Sequence, residues 1–419
     1  MRLPAQLRVL VLARCVNRLG GFSMAFLGVL LVRELGAGAA ETALALTCFG
    51  VATIPSRILG GHLADAWGHR PTMLVGLVGC AVAQLVIAAA PGATWALVGA
   101  VLLGLAYEVI EPPSQALVSD LVPEEARAFA YSALNASLAL AGVLAGLVAA
   151  AVSGLGLRWL FVVDAATCLA CAALVARCIS GGTAALTNGP REAPRLGVGR
   201  FPRGRGATDP RARWAAALRD RHLRPVVAFA AVAATVTMVV VFGVPLLVEQ
   251  RGLPPSVTGW VLAAGAAAAV PGAWLAAALR RHTSDTGVLL VGEVVASVGL
   301  GTIAIATTPS GLAAGLVAFD VGSLLVIATT MARAGTLAPD GSRGTYLAML
   351  GLTWGLATSI APAILSTLGT AYGPGAPFGV AALALLATAL VRAGQRPRLR
   401  RRTSLGGLPP AYDRDGSTT

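Results

Sequence analysis

The segment Leu121-Val122-Pro123-Glu124-Glu125-Ala126-Arg127 recurs later in the chain as Leu337-Ala338-Pro339-Asp340-Gly341-Ser342-Arg343. Both copies fit the pattern L-x-P-acid-x-x-R, and 343 − 127 gives a displacement of 216 residues. The same displacement relates two further sets of positions: Pro55 with Pro271, and Leu30, Leu31, Val32 and Gly36 with Leu246, Leu247, Val248 and Gly252. Three separated anchors that share one displacement indicate an internal duplication.

Apolar runs surround both copies of this pattern and continue along nearly the whole chain. The 419 residues are 56% hydrophobic and 12% charged, whereas soluble domains carry about 25% charged residues. A helix needs about 20 apolar residues to cross a hydrocarbon layer of roughly 30 Å. We therefore predict twelve transmembrane helices, at residues 9–33, 42–62, 71–90, 94–118, 129–153, 158–178, 225–248, 257–279, 286–307, 311–334, 344–368 and 376–394.

The duplication and the spans together predict the fold class. Each half holds six spans, an even number, so both copies enter the membrane in the same direction. We expect an all-α membrane protein of two parallel-repeat six-helix bundles, at residues 1–178 and 225–394. A central linker at 179–224 joins them, and a basic, disordered tail follows at 395–419. Within the linker, Asp209 and Pro210 have the residue types of a helix start, which predicts a short helix on the membrane surface.

The arginines predict the orientation. All 32 positively charged residues are arginine, a bias typical of a GC-rich bacterial genome. Cytoplasmic loops concentrate positive charge, and one face of this topology holds most of it: Arg2, Arg8, Arg70, Arg127, the arginines from Arg191 to Arg224, Arg280, Arg281, Arg343 and those from Arg396 to Arg402. The other face holds Arg33, Arg158 and Arg251. We predict a multi-pass protein of the bacterial cytoplasmic (plasma) membrane, with both termini and the linker in the cytoplasm.

The same composition argues against several other kinds of function. Membrane topology accounts for the net charge of +13, so we expect no nucleic-acid partner. A Walker A phosphate loop needs a lysine, and the sequence has none. The six cysteines all lie in apolar runs, where cysteine behaves as a small hydrophobe: Cys15, Cys48, Cys80, Cys168, Cys171 and Cys178. With four scattered histidines and no HExxH pattern, we expect no metal, no cofactor and no enzymatic activity.

The segment after the second span carries a recognisable motif, Gly61-His62-Leu63-Ala64-Asp65-Ala66-Trp67-Gly68-His69-Arg70. It resembles the loop signature G-x-x-x-D-R-x-G-R-R/K of the major facilitator superfamily. Gly61, Asp65, Gly68 and Arg70 match the signature, whereas Ala66 and His69 stand where the family usually has arginine. The resemblance covers roughly residues 9–394 and is closest to the twelve-span bacterial drug:proton antiporter branch.

Two positions depart from that branch. Ala100 stands in span four where the branch often has an arginine. The fifth-span antiporter signature G-x-x-x-G-P-x-x-G-G is present only as Gly142 and Gly146, followed by Leu147 in place of proline. The two glycines are equally consistent with a face for close helix packing. The resemblance implies alternating access, and it implies that Asp65 contacts the start of span eleven, near residues 344–346, when the cavity faces outward.

Ionisable residues inside the spans are costly and often functional. They are Arg14, Arg18, Arg57, Glu108, Glu111, Asp164, Glu293, Asp320 and Arg333. We interpret Asp164 and Glu293 as members of structural pairs, because spans six and nine are peripheral in the family. Arg57 and Arg333 lie close enough to the inner surface to extend toward water. Spans one, four and ten line the central cavity in the family, and they carry the remaining candidates.

Helix geometry suggests how these candidates pair. With a rise of 1.5 Å per residue, Arg18 and Glu108 lie roughly 13 and 15 Å deep, and Arg14 and Glu111 roughly 8 and 10 Å deep. We predict that Glu108 is the main protonatable residue, with Glu111 in support and Arg18 or Arg14 as the counter-charge. A static buried pair is the alternative. Asp320 is the next candidate for the proton site.

Three functions compete. The leading hypothesis is a secondary transporter that exports a small lipophilic organic compound in exchange for protons, as a monomer in the lipid bilayer. An importer of a sugar, organic acid or peptide is the second, and it would favour a cavity rich in Asn, Gln, Trp and His. A membrane-embedded sensor or enzyme is the third, and it would need a catalytic cluster or an output domain. The predicted cavity spans consist mostly of Ala, Leu, Val and Gly, which favours the exporter.

Overall fold

The computed structural model describes residues 4–122, 124–178, 210–339 and 343–405. These residues form helices and contain no strand. Twelve spans are long and apolar enough to cross a membrane, which confirms the predicted number. Nine spans are single helices: Ala39–Trp67 (span 2), His69–Ala88 (span 3), Glu124–Ser153 (span 5), Leu157–Cys178 (span 6), Leu223–Gln250 (span 7), Asp285–Ile305 (span 9), Pro309–Leu337 (span 10), Arg343–Tyr372 (span 11) and Ala376–Leu405 (span 12).

Three spans are interrupted. Span 1 consists of the helices Ala5–Gly20 and Ser23–Arg33. Span 4 consists of Ala93–Tyr107 and Glu111–Leu121, which are joined by the 3-10 turn Glu108–Ile110. Span 8 consists of Pro255–Ala267 and Ala269–His282. Proline explains two of these interruptions, because its ring lacks an N–H and crowds the carbonyl four residues earlier. Pro112 and Pro113 follow the turn in span 4, and Pro271 follows the break in span 8.

The spans form the two predicted bundles. In the first bundle, span 3 packs on spans 4 and 6, and span 1 packs on spans 5 and 6. In the second, span 9 packs on spans 10 and 12, and span 7 packs on span 11. The bundles meet where span 5 packs on span 8 and span 2 packs on span 11, two interfaces related by the internal repeat. The predicted fold class of two parallel-repeat six-helix bundles is confirmed.

Glycines allow these two interfaces to close to backbone contact. A Cβ atom on Gly146 of span 5 would lie 2.5 Å from the backbone nitrogen of Ala263 in span 8. A Cβ on Gly50 of span 2 would lie 2.6 Å from the backbone of Thr358 in span 11. Side chains at these positions would push the helices apart. Gly146, one of the two glycines of the fifth-span signature, therefore lies in the contact between the bundles.

The bundles meet mainly on one face of the molecule. We call the face that carries the Gly61–Arg70 segment the loop face, and the other the opposite face. Toward the opposite face, Ser23–Arg33 of span 1 packs on span 7, and Pro255–Ala267 of span 8 packs on span 5. Toward the loop face, Ala5–Gly20 packs on spans 4, 5 and 6 of its own bundle, and Ala269–His282 packs on spans 9 and 10. The cleft between the bundles therefore opens at the loop face.

A short helix, Pro210–Arg219, precedes span 7 and packs against spans 7 and 11. Ala217 on this helix is fully buried, whereas Trp214 and Leu218 are exposed. Just after the helix, the Tyr346 hydroxyl donates to Asp220 at 2.7 Å, which holds the pKa of that carboxyl below its ordinary value. The predicted helix start at Asp209 and most of the linker, 179–209, lie outside the described residues. The tail predicted to be disordered from residue 395 begins as helix, and residues 406–419 also lie outside the described part.

Candidate functional site

An ion pair joins spans 1 and 4 in the first bundle. Arg14 Nη2 donates to Glu111 Oε2 at 2.5 Å, and both side chains are partly buried. Glu111 Oε1 also accepts a hydrogen bond from Gln115 Nε2 at 2.8 Å. The Glu111 carboxylate is therefore compensated by a full positive charge and a neutral donor.

Glu108 has a different environment, although it lies one helical turn from Glu111. Its carboxylate is 3.6 Å from Arg57 Nη1 of span 2, which is too long for a hydrogen bond. The Glu108 Oε2 atom is buried and has no hydrogen-bond partner. Its backbone N–H donates to the Ser56 hydroxyl at 3.1 Å, which holds the 3-10 turn against span 2. Glu108 thus has a neighbouring charge but no hydrogen bond at that oxygen.

The predicted ion pair of Glu108 with Arg18 or Arg14 is not present in this structure. The Glu108 carboxylate lies beside Arg57, whereas Arg14 pairs with Glu111. The proton-binding role of Glu108 stays a prediction. The number of residues along a helix gives the height of each side chain in the membrane but not its direction around the helix axis. Arg57 was expected to extend to the inner surface, and it lies instead against the interrupted part of span 4. The sequence did contain a signal for the irregular geometry there, because Pro112 and Pro113 follow Glu111 directly.

Arg18 and Asp320 lie on opposite bundles and make no ion pair with each other. Arg18 is exposed on span 1, and its Nε lies 4.0 Å from the position of a Cβ on Gly142 of span 5. Asp320 on span 10 is partly buried and covers Gly265, two residues before the Pro255–Ala267 helix of span 8 ends. Among the described side chains, neither forms a salt bridge.

The predicted gating motif lies at the tight connection between spans 2 and 3. Gly68 ends one helix and precedes the next with φ +88°, a backbone conformation that favours glycine. Arg70 donates to the carbonyl of Ala176, which ties this connection to the end of span 6. Gly61 and Asp65 lie on the last turns of span 2, and Asp65 is exposed without an ion pair to any side chain that the structure describes. Its contact with span 11 stays a prediction.

On the opposite face, an ion pair connects equivalent positions of the two bundles. Arg33 Nη1 of span 1 donates to Glu249 Oε2 of span 7 at 3.1 Å. The two positions are 216 residues apart, the displacement of the internal repeat. Nearby, the Ser366 hydroxyl of span 11 donates to the carbonyl of Ala39 at the start of span 2 at 3.4 Å. Both contacts hold the bundles together where the cleft is closed.

The other two arginines of this face bind within single bundles. Arg158 donates to Glu34 at 3.1 Å and to the carbonyl of Ala88 at 2.9 Å. Arg251 donates to the carbonyl of Ala304 at 2.8 Å. Ala88 and Ala304 are again 216 residues apart. The last turns of spans 3 and 9 are therefore capped alike, one by Arg158 in the first turn of span 6 and the other by Arg251 just after span 7.

A buried ion pair in the second bundle was missed in the sequence analysis. Arg392 of span 12 donates to Glu293 of span 9 at 2.8 and 3.1 Å, and its guanidinium lies 4.1 Å from the ring centroid of Phe229. The sequence placed Arg392 inside the twelfth span, so its charge could have been matched with Glu293. The structural pairing expected for Glu293 is thus present with Arg392, whereas Asp164 has only neutral partners.

Two uncharged cavities lie beside these charges. A small cavity of about 20 Å³ between spans 7, 10 and 11 is lined by Ala230, Ala233, Ala234, Val326, Ile327, Thr330, Met331, Leu350, Thr353 and Trp354. A pocket of about 180 Å³ lies near the opposite face, between spans 1 and 2 and spans 7, 11 and 12. Thr42, Gln250, Ser366 and Thr370 supply polar groups to that pocket. The smaller cavity suits an apolar group that accepts or donates one or two hydrogen bonds.

Comparison with known proteins gives matches to membrane transporters. Residues 10–319 match the model of the Major Facilitator Superfamily. The uncharacterised MFS-type transporter YqjV of Bacillus subtilis is 30% identical over 126 residues, covering 29% of this chain and 31% of that protein. The puromycin resistance protein of Streptomyces alboniger is 31% identical over 118 residues, covering 27% of this chain and 24% of that protein. The chain therefore matches less than a third of the length of either relative.

Solved structures match over nearly the whole chain. A POT family transporter in complex with 5-aminolevulinic acid has a TM-score of 0.77 at 13% identity, covering 94% of this chain and 97% of that chain. The nucleoside transporter NupG, as a point mutant, has a TM-score of 0.74 at 10% identity, covering 93% and 99%. At such low identity these matches establish a shared fold and carry no information on the substrate.

Proposed function

Because the chain belongs to the major facilitator superfamily, we propose that this membrane transporter exports small lipophilic organic compounds in exchange for protons. The mechanism is alternating access, in which a cleft between two bundles opens first to one side of the membrane and then to the other. The structure has the cleft open at the loop face. The local similarity to a puromycin resistance protein is consistent with export of such compounds.

The observation that carries the proposal is the environment of Glu108. A buried carboxylate oxygen without a hydrogen-bond partner is costly, and protonation of the group removes that cost. Arg57 at 3.6 Å favours the ionised form. These opposing influences allow a modest change in hydration or position to move a proton on or off Glu108. Glu111, compensated by Arg14 and Gln115, holds the neighbouring part of span 4 in place.

We place an apolar group of the substrate in the small cavity between spans 7, 10 and 11. Its lining is mostly alanine and branched aliphatic side chains. Met331 adds a flexible apolar side chain, and Trp354 adds a flat one. Thr330 and Thr353 supply hydroxyl groups for orientation. Proton binding and substrate binding then lie on different bundles, so movement of one bundle against the other couples them.

Two sets of contacts form the gates in this proposal. The Arg33–Glu249 pair and the Ser366–Ala39 hydrogen bond close the opposite face in the present conformation. When the cleft faces the other way, Asp65 closes the loop face by approaching the positive start of span 11. Asp320, which covers Gly265 next to the break in span 8, is the second candidate for a transported proton.

The arginine distribution supports the orientation in the membrane. We propose that the loop face, both termini and residues 179–224 lie in the cytoplasm of a bacterial cell, because positive residues concentrate on that side. The units proposed are the bundles 1–178 and 225–394, the linker between them and the tail 395–419. The exposed side chains Trp214 and Leu218 on the Pro210–Arg219 helix then rest at the membrane surface. We propose a monomer as the active unit.

An importer is the second candidate, because a shared fold does not fix the substrate or the direction of transport. Solved structures that share the fold over nearly the whole chain include a POT family transporter in complex with 5-aminolevulinic acid and the nucleoside transporter NupG. A zwitterionic or multiply hydrogen-bonding solute needs charged or amide side chains in its site. The cavity between spans 7, 10 and 11 has neither among its lining residues, so we rank import of such solutes second.

Purified protein in liposomes with an internal pH-sensitive dye tests the proposal. Puromycin added across an imposed pH gradient should be taken up against its own concentration gradient while protons leave the compartment. Dialanine, added under the same conditions, should move no protons. Proton movement with dialanine but not with puromycin would favour the importer. No proton movement with any of a panel of lipophilic cations would argue against the exporter, and protein-free liposomes give the background.

A further inference from the structure

Asp164 is a buried carboxyl group that neither the gates nor the Glu108 site uses. It lies on span 6 with 4% of its surface exposed, among spans 1, 3 and 6. Its Oδ2 accepts hydrogen bonds from the Ser23 hydroxyl and from Gln84 Nε2 at 2.5 Å. Its Oδ1 has only the Thr167 hydroxyl at 3.5 Å and the Cys168 thiol at 3.8 Å. One oxygen is well satisfied, and the other has only weak donors.

None of these partners carries a charge. Of the titratable groups around the carboxyl, Cys80 comes from span 3, Tyr107 from span 4 and Cys168 from span 6. Thiols and phenols are mostly neutral at physiological pH. Span 1 contributes Gly20 and Ser23. Within the described residues, Asp164 makes no salt bridge and accepts no backbone N–H.

Glu293 in the other bundle provides a direct comparison. It is as deeply buried, at 1% exposed, but two nitrogens of Arg392 donate to it and neutralise its charge. An ionised carboxylate requires such a partner in a dry interior, whereas a neutral carboxylic acid does not. The two groups therefore differ in the protonation state that their surroundings support.

Asp164 lies at the interruption of span 1. A Cβ atom on Gly20 would lie 2.6 Å from the Asp164 Cα, so the interruption of span 1 sits directly on this residue. Ser23, the donor to Asp164, is the first residue of Ser23–Arg33, which packs on span 7 of the other bundle. The helix on the other side of the interruption, Ala5–Gly20, packs within its own bundle. The carboxyl group therefore lies where span 1 would bend when the bundles move.

We propose that Asp164 is a second proton-binding site, which holds a proton in the conformation described here and releases it when span 1 bends. The proton lies on Oδ1, the oxygen with weak donors, and Oδ2 keeps its bonds to Ser23 and Gln84. Release of the proton leaves a negative charge on Asp164, next to the interruption of span 1. This charge changes the relative stability of the bent and less bent conformations of span 1. The site is separate from Glu108 and stands whether or not Glu108 carries the transported proton.

Infrared difference spectroscopy of the purified full-length protein, recorded in H₂O and D₂O, tests this assignment without any substrate. A protonated carboxyl gives a carbonyl stretching band that is sensitive to deuterium. We expect a band that persists in Glu108→Gln and in the matched control Glu293→Gln but is absent from Asp164→Asn. A spectrum in which Asp164→Asn leaves every acid band unchanged would overturn the assignment. Loss of a band in Glu108→Gln alone would support the Glu108 proposal and reject this one.

Ser23→Ala is the second variant, for the case that Asp164→Asn does not fold. It removes a hydroxyl donor to the Asp164 carboxyl and leaves the acid in place. A weaker hydrogen bond raises the frequency of a carbonyl stretch, so the assigned band should move to higher frequency and keep its intensity. An unchanged acid band in Ser23→Ala contradicts the assignment, because Ser23 contacts no other described carboxyl group.

Discussion

The two bundles share one fold, but Glu108 and Asp164 of the first bundle differ from Glu293 of the second in how their charge is compensated. In the first bundle, Glu108 lies in the interrupted part of span 4, and Asp164 lies beside the interruption of span 1. Neither carboxyl group has a hydrogen-bonded cation. In the second bundle, Glu293 is bonded to Arg392, and the cavity between spans 7, 10 and 11 is uncharged. In the function proposed above, the first bundle binds protons and the second binds the organic solute.

The largest effect should come from Glu108→Gln. The variant keeps the shape of the side chain and removes its titration, so we expect proton-driven transport to fall by at least roughly tenfold, about 1.4 kcal/mol of coupling. Transport down a concentration gradient should continue. Dye-monitored transport with and without a pH gradient checks this. Glu111→Gln is the matched control, one turn away, and should retain the pH dependence.

If Glu108→Gln inserts normally and keeps uphill transport with the same pH profile, proton binding in the first bundle does not depend on this residue. Asp320→Asn in the second bundle is then the next variant. Loss of coupling there, with Glu108→Gln active, would reverse the proposed division between the bundles.

The second-largest effect should be a loss of stability without a change in the pH dependence of transport. Glu293→Gln leaves Arg392 buried without its counter-ion, and removing one partner of such a pair costs about 3–5 kcal/mol. We expect a clear fall in the melting temperature in detergent while the pH dependence of transport by the surviving protein stays normal. Glu293→Gln combined with Arg392→Leu should recover part of the loss. A changed pH dependence would show that the second bundle also takes part in proton coupling.

A smaller effect is expected from filling the uncharged cavity. Ala233→Phe in span 7 occupies part of the space next to Thr330 and Trp354. We expect a higher KM for puromycin and an unchanged response to the pH gradient, because Glu108 and Arg57 lie on the other bundle. Val232→Phe, at the neighbouring position and absent from the cavity lining, is the control for added bulk in the same helix. Equal KM values in the two variants would place the substrate elsewhere.

The smallest effect should come from the ion pair at the opposite face. Arg33 and Glu249 are partly exposed, at 47% and 21%, and such pairs are worth about 0–1 kcal/mol. Arg33→Glu should shift the balance between the two access states several-fold toward the outward-open state, as measured by labelling of cysteines placed in the cleft. The double variant Arg33→Glu with Glu249→Arg should restore the original balance. A double variant that behaves like the single one would show that the pair plays no part in the gate.

The fold could be predicted from the sequence because lipid imposes a strong rule on it. Each span must be apolar for about 20 residues, and the displacement between Arg127 and Arg343 revealed the duplication. Depth along a span follows from counting residues, which is why Arg14 and Glu111 were expected at similar heights. Rotation about the helix axis does not follow from counting, and it depends here on the 3-10 turn Glu108–Ile110. That turn gives Glu108 its place beside Arg57.

The buried acids Asp164 and Glu293 show a second limit of prediction from the sequence. The sequence marks Asp164 and Glu293 as equally costly residues in peripheral spans, and we assigned both to structural pairs. Only packing distinguishes them, because a partner such as Arg392 lies about 100 residues away and reaches Glu293 through the contact of spans 9 and 12. For Asp164, packing supplies Ser23 and Gln84 instead.

The contact between Arg33 and Glu249 also bears on how the molecule arose. Positions 33 and 249 are equivalent in the repeat and touch each other, so they lie at the pseudo-two-fold axis that relates the bundles. In an ancestral assembly of two identical bundles, such a position meets its own copy across the axis. Arginine against arginine, or glutamate against glutamate, would repel. The attraction at this site can therefore have arisen only after duplication and fusion, when the two copies became free to diverge.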